Sequence, residues 1–503
     1  MLIGNSEMEN IKKIIEDGAR NSMNIKEFIA QQISEFKNSE QYKTMQIGSR
    51  YYKNNGDIKN KQRTYIDDEG NERIAPHMKN FKLNHPFLYK LTNQKNGYLL
   101  RKKPLIKQVI SPNEKEDKEY EKILQKIFDN KMHRRLKYTL IETIKRGLAW
   151  WQLFVDETGE LKTKLRYASR VIALWKDEEH ETLDAIIMFY EIEEYKSATN
   201  KVTRIKVEFH DNEGVRYYIY DGASLILDNV EMERNQALLI KESDSDPVYA
   251  HFLINEQPYK WKSGIPFIYF KYNSEELPLI YFLKELVDCY DELTSKLGDA
   301  IYDAPDGVDV VKNYDESAGR FKKNLATYNL VLLDDEGEYD RKNITINAEA
   351  YKIFIEQLRK DIYEGAAGVD TQSEKFGTND SGVALKQLYA DLDLDCSNIE
   401  TEFKSSLQHY MNFRNEFLTL KTGNDYTNKE TELIFNKSMT VNEKELIENC
   451  KSSIGMISEK TILSKHPFVN DINSELAQIS KEKKQAEGSY DNIIKNKDGD
   501  MDE

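Results

Sequence analysis

The residue types that most often carry out chemistry in proteins are present, but their spacing fits no catalytic or metal site. The chain has no GxxxxGK[ST] phosphate loop, no GxGxxG after a strand and no GxSxG nucleophile elbow. His180 precedes Glu181 without completing an HExxH zinc pattern, and the eight histidines are scattered. Because Cys289, Cys396 and Cys450 lie far apart and form no CxxC pair, we expect neither a zinc ribbon nor a disulfide framework.

Carboxylates cluster in two places, where they raise the possibility of a two-metal nuclease. Asp334 and Asp335 are adjacent, and Asp391, Asp393 and Asp395 alternate along the chain. In a chain with 87 Asp and Glu residues, such neighbours are more typical of a solvated face than of a metal site. A lone cysteine nucleophile is equally weak, since the first cysteine lies within a helical stripe. We therefore predict no catalytic residue, no metal and no cofactor.

The composition sets the class of protein. With 503 residues, of which 39% are hydrophobic, the chain is long enough for about two to four domains with real cores. The formal net charge of −15 provides no overall basic surface for holding nucleic acid. The N-terminus has no signal-peptide pattern, and no run approaches about 18 apolar residues, so we expect a soluble chain without a membrane span.

The first half of the chain predicts helices followed by a β-rich region. Apolar residues fall at helical spacing over 8–36 and over 114–147, and the intervening 50–74 is rich in turn residues. From 148 to 270 apolar and polar residues alternate, with ETG, NEG and DGAS turns between the runs. This pattern predicts an antiparallel β domain.

The second half predicts two amphipathic helices that flank a small β module. A helix over 275–302 would be about 40 Å long. Short strands at 307–315 and 328–338 follow it, and a second helix returns at 348–364. Each helix has one apolar stripe, and its other faces carry charged residues. The stripe residues are Leu279, Leu283, Leu286, Tyr290, Leu293, Leu297, Tyr351, Ile355, Leu358 and Ile362.

The remainder of the chain predicts a polar break and then helices. Residues 365–382 are rich in Gly, Ser, Thr and Asn, and a long helical pattern follows from 383 to about 420. Shorter helical patterns occupy 441–453, 458–465 and 472–484.

Several segments, taken in order, carry a family resemblance. They are RYYKNNGDIKNKQRTYIDDEG (50–70), WQLFVDETGE (151–160), IPFIYFKYNSEEL (265–277), VVKNYD (310–315), SGVALKQLYADLDL (381–394) and ISEKTILSKHPFVNDINSELAQISKE (457–482). Each is degenerate alone, but the collinear set resembles the portal proteins of long-tailed phages of Gram-positive hosts. The resemblance spans residues 48–482.

This resemblance implies an α+β portal-type subunit with a β-rich wing, a two-helix stem, a small α/β clip, a long tunnel helix and a helical crown. The subunit would form a ring of about twelve copies around a tunnel. The apolar stripes of the two stem helices would pack neighbouring subunits, with the charged faces toward the tunnel and the capsid; the alternative is that these are ordinary core helices of a monomer. The implied divisions are the wing (1–270), stem helix (271–302), clip (303–347), return helix (348–366), tunnel loop (367–382), long wing or crown helix (383–420), crown (421–487) and a disordered acidic tail (488–503).

The resemblance also implies a DNA-facing loop and a set of partners. The loop reads SEKFGTNDSG where the family has a glycine-rich run, and Lys375 is its one cation. The implied partners are double-stranded DNA, a terminase large subunit, scaffold and major capsid protein, and a head-tail adaptor, with assembly in the host cytoplasm into the virion. The predicted tunnel-loop residues are Gln372, Ser373, Glu374, Lys375, Phe376, Gly377, Thr378 and Asn379.

Two other interpretations stay open at this point. A tail or baseplate subunit would lack a tunnel wide enough for duplex DNA, and a nucleic-acid-processing enzyme would show metal-dependent cleavage. The basic run from Lys43 to Arg63 is interrupted by Asp57, which favours a solvated wing surface over a nucleic-acid-binding one.

Overall fold

The structure is a computed structural model in which the chain forms two compact units. The main unit comprises Met1–Gly368 and Leu394–Lys437, and the C-terminal unit comprises Val369–Asp393 and Ser438–Glu503. The structure describes residues 25–76, 78–110, 117–195, 201–242, 246–303, 308–313, 317–328, 333, 336–342, 348–372, 387–435, 437, 443–469 and 475–483.

Helices and strands are mixed along the chain, which confirms the α+β prediction. The helices are α1 Ile25–Asn38, α2 Glu40–Tyr52, α3 Phe87–Leu99, α4 Lys118–Ile127, α5 Asn130–Arg146, α6 Asn229–Arg234, α7 Leu279–Asp303, α8 Ala318–Tyr328, α9 Ala348–Gly365, α10 Ala390–Thr422, α11 Glu443–Ser452 and α12 Glu459–Lys465. The strands before residue 200 are β1 Thr64–Ile66, β2 Glu72–Ile74, β3 Leu105–Gln108, β4 Leu148–Val155, β5 Leu161–Tyr167, β6 Val171–Trp175 and β7 Leu183–Tyr195. The later strands are β8 Lys201–Asp211, β9 Val215–Tyr220, β10 Leu225–Leu227, β11 Leu239–Lys241, β12 Val248–Tyr249, β13 Phe252–Ile254, β14 Gln257–Tyr259, β15 Phe267–Lys271, β16 Val308–Lys312, β17 Glu338–Lys342 and β18 Thr431–Ile434.

The β region predicted from the alternating pattern forms two antiparallel sheets. Strands β11-β12-β9-β8-β7-β6 lie in that order in one sheet, with β10 paired to β9, and β15-β4-β5 form a second. Trp150 and Trp151 on β4 point to opposite faces of that second sheet and are both fully buried. They pack in two different cores, so β4 joins the cores on the two faces of its sheet.

A glycine sets the junction between α5 and β4. Gly147 ends α5 with a φ of 81°, a left-handed conformation that glycine adopts without strain. A Cβ at this position would lie 1.8 Å from the carbonyl oxygen of Glu276. The chain before α7 therefore passes directly over the end of α5.

The helices of the first half differ from the predicted ones at three points. The predicted 8–36 helix is described only from residue 25, where α1 runs to Asn38, and Ser39 then caps the unpredicted α2. The predicted 114–147 helix is two helices, because the side chain of Asp129 accepts the Met132 N–H and begins a new one. Helix α3 has no counterpart in the sequence prediction.

The second half departs from prediction mainly in the small β module. Helices α7 and α9 lie close to the predicted bounds. The second strand of the module is Glu338–Lys342, later than the predicted 328–338, most of which lies outside the described residues. The unpredicted helix α8 precedes it. Within the described part of the chain, no helix has the length and apolar character required to cross a membrane.

Candidate functional site

Helices α7 and α9 pack against each other along the stripe predicted from the sequence. Leu279, Leu283 and Tyr290 on α7 are buried, as are Leu358 and Ile362 on α9. All five belong to the largest core cluster of the chain. Packing within one subunit therefore already buries these five side chains, and the role of the stripe between subunits stays a prediction.

The other predicted stripe residues lie at the margin of the same core. Leu286, Leu293 and Ile355 are half-buried and pack against it. Leu297 and Tyr351 are also half-buried. The ten predicted residues therefore belong to one helix pair, whose packing is mostly completed within the subunit.

A polar face of α7, expected to be free, is covered by an extended segment of the same chain. We call residues 81–85 the strap. Every second backbone N–H of the strap donates to a side chain of α7, and those side chains recur every fourth residue. The bonds run from Phe81 N to Asp299 Oδ1 (2.7 Å), from Leu83 N to Ser295 Oγ (2.9 Å) and from His85 N to Asp291 Oδ1 (3.0 Å).

The match follows from backbone geometry. Two residues of extended chain advance about 6.6 Å, and four residues of α-helix advance about 6 Å. A strap that runs antiparallel to α7 can therefore place alternate N–H groups opposite side chains spaced by four. Ser295 is fully buried and Asp291 nearly so, which leaves these N–H groups as essential partners.

Further hydrogen bonds fix the strap at Asp291. The Nδ1 atom of His85 lies 2.7 Å from Asp291 Oδ1, and Asn84 Nδ2 donates to Asp291 Oδ2 at 2.9 Å. The imidazole also packs edge-on against the ring of Tyr290, with centroids 4.8 Å apart. One carboxylate thus organises three groups of the strap.

At the other end of the strap, two basic residues pair with the last turns of α7. Lys61 Nζ lies 2.8 Å from Asp299 Oδ2, and Arg63 pairs with Asp303. Burial disfavours ionisation of Asp299, but the hydrogen bonds from Lys61 and from the Phe81 N–H outweigh it and lower the pKa of this carboxyl.

A second charged cluster holds the first half of α7. Lys284 Nζ lies 2.7 Å from both Asp57 and Asp288, and Arg50 pairs with Asp57 at 2.5 Å. The Tyr51 hydroxyl donates to Asp288. Burial, reinforced by this hydrogen bond, raises the pKa of Tyr51.

These contacts correct the interpretation of the basic run Lys43 to Arg63 as a solvated wing surface. Arg50, Lys61 and Arg63 each pair with a carboxylate of α7 or of the turn that contacts α7. The RYY and GDI parts of the family-like segment at 50–58 therefore serve to fasten the long helix. The four-residue spacing of Asp291, Ser295 and Asp299 was the available signal for the strap, and the sequence reasoning missed it.

The opposite faces of the helix pair expose large apolar side chains. On α9, Ile353 and Phe354 are 60% and 50% exposed, and on α7, Tyr281 and Phe282 are 57% and 51% exposed. A groove of about 320 Å³ lies beside the second pair, between α2 and the start of α7. Each helix therefore leaves two adjacent large apolar side chains outside the subunit core.

Among the described residues, the module between α7 and α9 is an antiparallel pair of strands with helix α8 packed on it. We call it the hairpin module. Strands β16 and β17 pair antiparallel, with Val311 opposite Tyr339. Phe321 of α8 is buried, and its ring lies 5.6 Å from that of Tyr339. This agrees with the α/β character predicted for residues 303–347.

The predicted tunnel loop is described only at its start. Gln372 is exposed, and its backbone N–H donates to Asp370 Oδ1 at 3.1 Å. The other predicted loop residues, Ser373 to Asn379, lie outside the described residues. Within the described part of the chain, no three His, Cys, Asp or Glu side chains are grouped so as to hold a metal ion.

Comparisons with known proteins agree with this architecture. The family model described as "Phage portal protein, SPP1 Gp6-like" matches residues 33–489. The portal protein of Bacillus phage SPP1 is 26% identical over 512 residues, covering 99% of this chain and 95% of that protein. The portal protein of Clostridium phage phiCD119 is 26% identical over 455 residues, covering 88% of this chain and 92% of that one.

Among solved structures, chains from the necks of GTA particles are similar at low scores. The neck of an empty particle gives a TM-score of 0.40 with 10% identity, covering 75% of this chain and 88% of that chain. The neck of a native particle gives 0.36 with 8% identity, covering 76% and 90%. At these scores the likeness adds nothing to the sequence match.

The class of protein that these findings define is the phage portal protein. The chain belongs to the SPP1 Gp6-like family, whose model covers most of its length, and the predicted family resemblance is confirmed.

Proposed function

We propose that this portal subunit forms a closed ring of about twelve copies at one capsid vertex, through which double-stranded DNA enters and leaves the particle. The observation that carries the ring is the outward surface of the α7–α9 pair, which carries large apolar side chains on both helices. The subunit completes its own core with the first stripe and still exposes Ile353, Phe354, Tyr281 and Phe282. A neighbouring copy placed against this face would bury them.

The remaining roles follow from family membership and are part of the same proposal. The hairpin module at 303–347 would be the clip that docks the terminase and later the head-tail adaptor, while scaffold and major capsid protein would contact the rim. The chain would act as a structural component, with ATP hydrolysed by the terminase. It would assemble in the host cytoplasm and remain in the virion.

The test of the ring is negative-stain electron microscopy of the purified protein together with its mass in solution. We expect rings of about a dozen subunits with an open centre. The double variant Ile353→Asp/Phe354→Asp should stay folded and lose the ring, because two carboxylates would enter an apolar contact. Lys352→Asp, an exposed change on the same helix, is the matched control. A wild-type protein that remains a monomer in the presence of scaffold would refute the proposal.

The predicted tunnel loop has its own test. Replacing residues 374–378 with Gly or Ala removes Lys375 and Phe376 and leaves the sequence of the helix pair unchanged. If the loop contacts DNA, particles built with this variant should package less DNA per particle than wild type. Normal packaging would remove the loop from the mechanism and leave the ring proposal intact.

A further inference from the structure

Helix α8 differs in charge from the rest of this acidic chain. Its sequence, AGRFKKNLATY, contains three cations and no carboxylate, in a chain whose formal net charge is −15. The cations lie in the first half of the helix, and the first turn holds no acidic residue.

The packing of α8 turns these cations outward. Phe321 is the buried anchor against the hairpin. At 100° per residue, Arg320 and Lys322 lie about 100° to either side of it, and Lys323 lies almost opposite. All three are exposed. One surface of the clip-like module is therefore a basic arc.

The lysines on this arc have no role in holding the fold together. Lys322 and Lys323 form no ion pair with any residue that the structure describes, whereas Lys312 on the adjacent strand pairs with Glu338 at 2.6 Å. Because both lysines are exposed and pair with no described carboxylate, their ammonium groups are available to an anionic partner.

We propose that the exposed face of α8, through Lys322 and Lys323, contacts the phosphate backbone of duplex DNA. This inference rests on the proposed function, in which DNA passes the hairpin module on its way through the ring. A duplex presents one negative charge about every 1.7 Å, and lysine side chains neutralise phosphates without reading sequence. Non-specific contact of this kind suits a surface that DNA must slide past.

The same face is poorly suited to a protein partner. Protein interfaces are built around a desolvated apolar or aromatic centre. Among the α8 side chains whose burial the structure describes, none is both large and apolar and also exposed. The contrast with α9, which exposes Ile353 and Phe354, separates a surface for phosphate from a surface for protein within one helix–module–helix unit.

The experiment compares two charge reversals of equal size. Lys322→Glu/Lys323→Glu is tested against Lys102→Glu/Lys103→Glu. Lys102 and Lys103 are also consecutive and exposed, but they lie in the first half of the sequence, outside the hairpin module. The probe is a fluorescent duplex of about 30 base pairs, and its anisotropy is measured on the intact protein from low to physiological salt. Ring formation by each variant is checked by negative-stain microscopy.

The expected result is position-dependent. The α8 variant should bind the duplex at least about tenfold more weakly at low salt, and the slope of log K against log salt should become shallower by about two. The control should stay near wild type, and Lys322→Arg/Lys323→Arg should restore binding. Equal weakening by both reversals, unchanged binding by the α8 variant, or no binding by wild type at low salt would overturn the inference. If rings form normally in those cases, only the α8 assignment fails and the conduit proposal stands.

Discussion

Two regions of this subunit bury ionisable groups in opposite ways. Along α7, the carboxylates of Asp291 and Asp299 receive hydrogen bonds from the strap. In the β region of residues 148–270, which we call the wing because it lies within the predicted wing, the Nε2 atom of His251 is buried between β12 and β13 and has no hydrogen-bond partner in the described structure. Burial, with smaller contributions from His210 and Lys260, lowers the pKa of His251 to about 3.

The two regions are stabilised by opposite protonation states: an ionised carboxylate at the strap and a neutral imidazole in the wing. The far end of the strap is most stable when Asp299 is ionised, because its partners are Lys61 and the Phe81 N–H, which lower the pKa of this carboxyl. The wing is more stable when His251 is neutral, since a proton on its Nε2 atom would be buried without an acceptor and near Lys260. Acid should therefore weaken the wing at a higher pH than it weakens the strap.

The largest effect is expected from breaking the strap at its best-connected residue. Asp291→Ala leaves the His85 N–H, the His85 ring and the Asn84 amide without their shared acceptor. Groups left unsatisfied in this way should lower the free energy of unfolding by about 2–4 kcal/mol. The measurement is urea denaturation at fixed protein concentration.

The matched control for this variant is the neighbouring residue. Glu292 is exposed and pairs only with Lys296 one turn away, so Glu292→Ala should change stability by less than about 0.5 kcal/mol. Equal effects of the two substitutions would contradict the assignment of Asp291 as the organiser of the strap.

The next effect concerns the wing and appears as a pH dependence. Below about pH 6.5 the unfolded chain protonates His251, whereas the folded chain keeps it neutral down to about pH 3. The contribution of neutral His251 to the free energy of unfolding is therefore complete above about pH 6.5. It is lost as the pH falls below that value, by up to about 1.4 kcal/mol per pH unit. In His251→Asn, which keeps an acceptor near the Nδ1 position and cannot titrate, this slope should disappear.

Urea denaturation of wild type and His251→Asn at pH 8, 6 and 5 provides the measurement. The stability difference between the two proteins should narrow steadily as pH falls. Two parallel pH profiles would show that His251 does not titrate differently in the folded and unfolded states.

The sequence predicted the parts of this fold that a local pattern specifies. The alternation over 148–270 found the β sheets, and the helical stripe found α7 and α9, because both patterns record which face a residue turns to the core. Helix α2 was missed because it buries few large apolar residues, Met45 and Tyr51 among them. Its closest contact with α5 is made by Gly48, which has no side chain to contribute to an apolar pattern.

The contacts of the strap with α7 could not be predicted from local sequence patterns, for a different reason. Asp291 and His85 are 206 positions apart, and neither hydrophobicity nor charge links them until the fold places both segments side by side. The sequence therefore identified α7 as a long amphipathic helix but assigned its polar face to solvent. A single sequence shows that a face is polar and does not show what satisfies it.

The smallest effect tests the far end of the strap, where charge and neutral hydrogen bonding can be separated. Asp299→Asn keeps an oxygen for the Phe81 N–H but removes the charge that pairs with Lys61. We expect a loss of about 1 kcal/mol at pH 7. Because the folded pKa of Asp299 is lowered, its ionic contribution is present above about pH 4 and is lost as pH falls further. The stability difference between wild type and Asp299→Asn should therefore be constant from pH 8 to 5 and shrink below pH 4. The His251 difference shrinks at higher pH, beginning below about pH 6.5. A difference that already shrinks between pH 6.5 and 5 would mean that the strap and the wing lose stability together, and that the two regions do not bury their charges independently.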